Sequence, residues 1–176
     1  MNELGANRLA ALATALADRL ESGFDPLSKS ASGTLLTLAH WEPLSGTELA
    51  RILRVSQPTV ARVIQGLVRQ GLVERGERVG RDVVLRLTDR GRERARALQA
   101  ARLSAMEALL LTLDEGERAV LDGLVARLLS AATESRSDAR HMCRFCAHDR
   151  CVGKDCPPGL RATEIERTEG KGKSRC

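Results

Sequence analysis

Aromatic side chains are scarce in this sequence: Phe24, Trp41 and Phe145 are all that its 176 residues contain, and tyrosine is absent. Binding single-stranded nucleic acid by base stacking requires an aromatic platform, so that class of function is disfavoured. Histidine is nearly as rare, at His40, His141 and His148. No nucleophile–base pair and no phosphate-cradling loop is visible, so the chain does not read as an enzyme. No apolar run is long enough to cross a membrane. The stretch LAALATALA at 9–17 looks superficially like a signal-peptide core, but Glu3 stands against a single Arg8 before it. Leu9, Leu12, Leu16 and Leu20 instead continue one helical stripe past the would-be cleavage point. A cytoplasmic chain is expected, where disulfides do not serve as staples.

The sequence has arginine in one place above all. From Arg51 to Arg96, twelve arginines stand against five acids, a net +7, while the whole chain carries +5 and the remainder therefore −2. A basic zone of that density is an electrostatic footprint for nucleic acid when it coincides with a binding motif.

It does coincide. In SQPTVARVIQGLVRQG, residues 56–71, Val60, Val63, Ile64, Leu67 and Val68 form one apolar stripe at helical spacing. Ser56 suits the N-cap, Pro58 the first turn and Gly71 the C-terminal stop. Thr59, Arg62, Gln65 and Arg69 fall on the opposite side. A shorter helix precedes it, opened by the capping box Ser45-Gly46-Thr47-Glu48. Helix, three-residue turn at 54–56 and helix is helix-turn-helix spacing. Two strands follow, 72–75 and 83–87, with a glycine- and arginine-bearing loop over 76–82 between them. A basic hairpin directly after a helix-turn-helix is a wing, which reaches the backbone or minor groove beside the recognition helix.

On these residues, together with the following LRLTDRGRE, the chain resembles the MarR family of bacterial winged-helix regulators. The resemblance spans about the first three quarters of the sequence. It implies that Ser56, Gln57, Thr59 and Arg62 face the major groove, and that Thr47 at the head of the preceding helix joins them. It makes Arg81 the wing arginine, in Val79-Gly80-Arg81 where the family often carries Asp-x-Arg, with Arg78 sharing its role. It further implies a homodimer formed through N- and C-terminal helices, reading a palindromic operator in double-stranded DNA. A small-molecule effector would sit near His40 and Trp41, between those helices and the winged core.

The flanking segments fit a mainly α (α+β) class. Helices are expected over 6–21 and 30–40, from Thr88-Asp89 to about Leu111, and again after a Thr112–Glu115 capping box through Leu129. These helices carry more apolar surface than a small winged helix can cover, which marks a partner surface. Residues 131–140 read as fraying helix or linker.

A second motif stands beyond them. Cys143, Cys146, Cys151 and Cys156 are spaced C-x2-C-x4-C-x4-C, a donor set suited to a tetrahedral Zn²⁺. An iron–sulfur cluster also takes four thiolates, and free redox-active thiols are the third reading. The spacing resembles a zinc knuckle, with Cys151 where knuckles have histidine and Arg150 where they have glycine. His141, His148 and Cys176 are possible substitutes, although a histidine beside a complete cysteine set is more often a surface residue. The polar segment from Arg161 onward reads as disordered.

The expected layout is a dimerisation helix at 1–29, a winged helix-turn-helix at 30–90, dimerisation helices at 91–140, a Cys-rich metal module at 141–160 and an unstructured tail at 161–176. The function expected is a dimeric, sequence-specific transcriptional repressor answering a small ligand, a metal or a redox signal. The alternative is an RNA-binding or protein-interaction module that works through the knuckle-like tail.

Overall fold

The computed structural model describes residues 3–22, 26–80, 82–151 and 153–170. Its helices are α1 (Glu3–Ser22), α2 (Lys29–Trp41), α3 (Gly46–Leu53), α4 (Gln57–Arg69), α5 (Asp89–Leu110), α6 (Glu115–Ala131), α7 (Arg136–Cys143) and α8 (Pro157–Thr168). Three short strands, β1 (Leu44–Ser45), β2 (Val73–Val79) and β3 (Asp82–Leu87), form an antiparallel sheet in the order β1-β3-β2. None of the described helices is long and apolar enough to cross a membrane.

Local chemistry sets the helix starts. Ser45 and Glu48 form the capping box that opens α3, and Ser56 accepts from the Thr59 amide to open α4. Between them Arg54 takes a left-handed conformation, φ 54°, which turns the chain sharply enough for the two helices to pack. Val60, Ile64 and Leu67 on α4 are buried against Leu35, Leu38, Leu49, Leu87 and Leu98, with Val63 and Val68 at the margin. This is the stripe that the spacing predicts. Thr88 caps α5, and its hydroxyl also donates to the Gly71 carbonyl at 2.7 Å, tying the start of α5 to the end of α4. Gly91 lets α5 cross the chain there: a Cβ at this position would lie 1.9 Å from the Leu72 carbonyl oxygen.

Four expectations are corrected. The loop expected over 76–82 is mostly strand: Val79 pairs with Asp82 across a turn at Gly80, φ 64°, with a bulge between Arg75 and Arg78. The box that opens α6 is Asp114 with Glu117, because the Thr112 hydroxyl turns back to the Leu109 carbonyl instead. Residues 136–143 are a helix, α7, capped by Ser135. The segment expected to be disordered from Arg161 forms most of α8, which buries Ala162 completely. Residues 171–176, Cys176 included, lie outside the described residues.

The flanking helices leave much of their apolar surface open. α6 buries no residue, and Val120, Leu124, Val125 and Leu128 are exposed along it. Leu4, Leu9 and Leu12 are exposed on α1.

Candidate nucleic-acid interface and cysteine module

The first turn of α4 presents the expected reading residues. Ser56 and Gln57 are exposed, Thr59 half-buried and Arg62 exposed on the face opposite the buried stripe. The Ser56 and Thr59 hydroxyls lie 2.8 Å apart and hydrogen bond to each other, and Ser56 Oγ also accepts the Thr59 amide, so both side chains are held in place. Thr47, exposed on the first turn of α3, reaches Asp82 at 3.5 Å, which sets the head of α3 beside the outer end of the wing. Arg78 is exposed on β2. Arg81 lies outside the described residues.

Part of the basic zone has structural work. Arg92 pairs with Glu42 and donates to the Leu87 carbonyl at 3.1 Å; Glu42 in turn accepts from the Leu87 amide at 2.7 Å. Arg54 pairs with Asp138. The Ser135 hydroxyl foremost, with Arg54, holds the Asp138 carboxyl below its ordinary range. Arg90 donates to the Gln70 carbonyl. Charge counting along the sequence could not separate these arginines from ones free to meet phosphate.

The cysteine module packs on the winged core rather than trailing from it. Its α7 lies against α3: besides the Arg54–Asp138 pair, His141 Nδ1 lies 2.8 Å from the Ile52 carbonyl oxygen. Phe145 follows and enters the hydrophobic core at 9% exposure, with its Cε1 3.2 Å from where a Cβ on Gly33 would stand. Arg102 and Arg144 stack over its ring at 4.9 and 4.5 Å, and Arg102 also donates to the Phe145 carbonyl. The aromatic ring of this loop therefore offers no free face to a base. On its far side, α8 packs on α6 and α7, with Arg136 bridging to Glu166 and to the Thr163 hydroxyl.

The four cysteines are unbridged and gather at the centre of the module. Cys143 ends α7, and Cys156 caps α8, accepting the Gly159 amide on its sulfur at 3.3 Å. Cys143 lies close enough to Cys146 and Cys156, and Cys151 to Cys156, for each to bear on the other's protonation. These are pairwise contacts: among the described residues, no three His, Cys, Asp or Glu side chains already stand as a metal-ligand set. Donation toward Cys146, with burial, pushes the Cys143 thiol up, while Cys143 as donor and the guanidiniums of Arg102 and Arg144 bring Cys146 down to about 7. Burial lifts Cys151 to about 11.

His148 is buried, contrary to the surface position expected of it. Its ring stacks on His40 at 3.4 Å, meets Trp41 edge-on at 4.6 Å, and places Nε2 3.0 Å from the Cys143 carbonyl oxygen. Nothing in the sequence marks a stack between rings more than one hundred residues apart. Beside it, a cavity of about 420 Å³ opens between α2, α5 and the cysteine loop, lined by His40, Arg96, Gln99, Leu103, Cys146 and His148 among others. The Gln99 amide is buried at both its polar atoms, with no hydrogen-bond partner among the described residues.

Comparison with known proteins bears on this architecture. The MarR family model matches residues 23–82. An HTH-type transcriptional regulator of Mycobacterium tuberculosis is 31% identical over 119 residues, 66% of this chain and 83% of that protein. A counterpart from Mycobacterium leprae is 30% identical over the same length. Among solved structures, YusO from Bacillus subtilis has TM-score 0.64 at 22% identity, over 75% of this chain and 99% of its own. MepR, a transcription regulator of the Staphylococcus aureus multidrug efflux pump MepA, has TM-score 0.65 at 18% identity, over 72% and 96%. A helix-turn-helix with a wing, a matching family model and regulators of this similarity agree: the chain belongs to the MarR family of DNA-binding helix-turn-helix transcriptional regulators.

Proposed function

We propose that this protein is a homodimeric, sequence-specific repressor that reads a palindromic operator. The observation that carries this reading is the two-sidedness of α4. One face is fixed in the core by Val60, Ile64 and Leu67, and the other presents Gln57 and Arg62 to solvent from a capped first turn. A helix held this way offers its N-terminal residues to base edges in the major groove. Arg62 is suited to bidentate contact with guanine, and Ser56, Thr59 and Thr47 to phosphate or base edges. Arg78 and Arg81 would hold the wing to the backbone. A mutant MepR, of similar fold, has been solved bound to an oligodeoxyribonucleotide.

A second copy of the chain would cover the open apolar faces of α1 and α6. Val120 at 64%, Leu128 at 53% and Leu9 at 52% exposure are large side chains that a lone chain leaves in water. Two-fold pairing would set two α4 helices about one DNA turn apart. Signals would enter through the cavity beside His40, whose unpartnered Gln99 amide and Arg96 suit a small polar or anionic ligand, or through the cysteine module by metal or redox change.

The test begins with selection of duplexes from a random library. A palindromic consensus is expected, with one dimer bound per site by sedimentation. Arg62→Ala should lose about 1–3 kcal/mol and relax discrimination at one base pair of each half-site. Undiminished affinity and discrimination in that variant would refute α4 as the reading helix.

A further inference from the structure

We propose that Cys143, Cys146, Cys151 and Cys156 close around a single zinc ion, and that the closed loop locks α3 of the reading head to α6 of the apolar face. The first half stands on the module alone. The second rests on the reading of α3 and α4 as the DNA-binding unit.

The fold brings the four thiols together from three directions. Cys143 comes from the end of α7, Cys156 from the start of α8, and Cys146 and Cys151 from the loop between. Two are buried, at 6% and 4% exposure, so the site is walled by protein and not draped on the surface. Cys146, Cys143, Cys156 and Cys151 neighbour one another in that order, near enough to interact electrostatically. Four thiolates about 2.3 Å from one tetrahedral zinc stand about 3.8 Å from one another. An iron–sulfur cluster places bridging sulfides and several irons between its cysteines and spreads them further. Thiols that already neighbour one another therefore suit one ion.

Neutral thiols pair with one another and with carbonyls, and the Cys151 thiol donates to the Asp155 carbonyl at 3.1 Å. Thiolates repel, and four of them close only on a cation. On metal binding each cysteine gives up its proton to solvent, Cys151 leaves that carbonyl, and four S–Zn bonds replace the thiol contacts. The surroundings suit the product, whose formal charge is −2. The Gly159 amide already points at Cys156 sulfur, and Arg102 and Arg144 flank Cys146. His148 is not a competing ligand: its ring is held between His40 and Trp41, with Nε2 on the Cys143 carbonyl.

Closure has a mechanical consequence. α7 is fixed to α3 through Arg54–Asp138 and His141–Ile52, and Phe145, between two ligands, is plugged into the core beside Gly33. α8 is seated on α6. The metal joins the end of α7 to the start of α8, and so joins the reading head to the proposed dimer face by one rigid link.

The experiment uses the full-length chain purified without oxygen. One zinc per chain is expected by elemental analysis, with no visible iron–sulfur absorption; iron with sulfide, or no metal at all, would overturn the site. Cys146→Ser should lose the zinc, and retention at full stoichiometry would overturn the ligand set. Should that variant fold poorly, the wild type itself serves. Chelation should shift the emission of Trp41, the sole tryptophan, through its contact with His148, and added zinc should restore it; an unchanged spectrum on zinc loss would overturn the link to the core. Chelation should also weaken binding to a selected duplex at least tenfold, reversibly, and unchanged affinity would overturn the coupling. Zinc-loaded protein that binds no duplex would refute the repressor reading and leave the zinc site standing.

Discussion

Phe145 lies more than fifty residues beyond the wing, yet replacing it should destabilise the winged helix. The ring is 91% buried among core residues, and truncating such a phenylalanine to alanine costs about 3–5 kcal/mol in transfer and cavity terms. Two guanidiniums lose their stacking partner as well, at about 0.5–1 kcal/mol each. A loss of about 4 kcal/mol is a large part of a domain's usual stability of about 5–15 kcal/mol. Phe145→Leu, which keeps most of the apolar volume, should cost less than about 1.5 kcal/mol. Gly33 supplies an internal control. An added Cβ there would meet Leu53 Cδ2 at 2.9 Å and Phe145 Cε1 at 3.2 Å. Gly33→Ala should therefore destabilise the native protein, although alanine is the better helix former by about 1 kcal/mol. With Phe145 gone, the methyl group and Leu53 can move into the vacated space, so the double variant should cost less than the sum of the two singles by about 1 kcal/mol. Urea unfolding of the four proteins, followed by circular dichroism, measures the cycle. Phe145→Ala costing less than about 1 kcal/mol, or strict additivity with Gly33→Ala, would mean that the module does not sit in the core.

Two further outcomes are expected. Val79-Gly80-Arg81 lacks the aspartate that often braces the wing arginine in this family, so Arg81→Ala should weaken duplex binding modestly, and removing Arg78 as well should cost more than the sum of the singles; a double-mutant cycle read by anisotropy checks this, and additivity would mean that the two act independently. Burial foremost, then the facing His148, brings the His40 imidazole from its ordinary 6.5 to about 4, against a smaller opposing pull from Asp149. The unfolded chain therefore takes up a proton at His40 below pH 6.5 while the folded chain stays neutral until about 4. Stability from this group is complete above pH 6.5 and is lost as the pH falls toward 4. Urea midpoints between pH 7.5 and 4.5 should fall less steeply for His40→Gln than for the wild type, and equal slopes would refute the assignment.

The parts legible from the sequence are those whose causes are local. Ser45 with Glu48, Ser56 with Thr59, and the stripe from Val60 to Val68 each lie within a turn or two of the chain, and the reading head follows from them. The same logic misplaces the start of α6, since Thr112–Glu115 and Asp114–Glu117 satisfy one pattern and only the path of the turn selects between them. The wing is longer than its pattern suggests because its outer ladder is made of polar residues, and the pairing of Val79 with Asp82 leaves no apolar alternation to read.

α7 and α8 are harder to read for a different reason: their buried side chains are small, chiefly Ala139 and Ala162, so no stripe of large apolar residues marks them, and they are held by contacts with distant partners. The cysteine spacing was plain; its seat was not, because Phe145, Arg102, Arg54 and His148 each meet a residue far away in the chain. The arginines make the limit clearest. Arg54 and Arg62 are alike in the sequence, eight residues apart in one basic zone, yet Arg54 pairs with Asp138 on α7 while Arg62 stands in solvent on α4. A charge count places a nucleic-acid surface, but only the fold separates an arginine that links the cysteine module to α3 from one free to meet DNA.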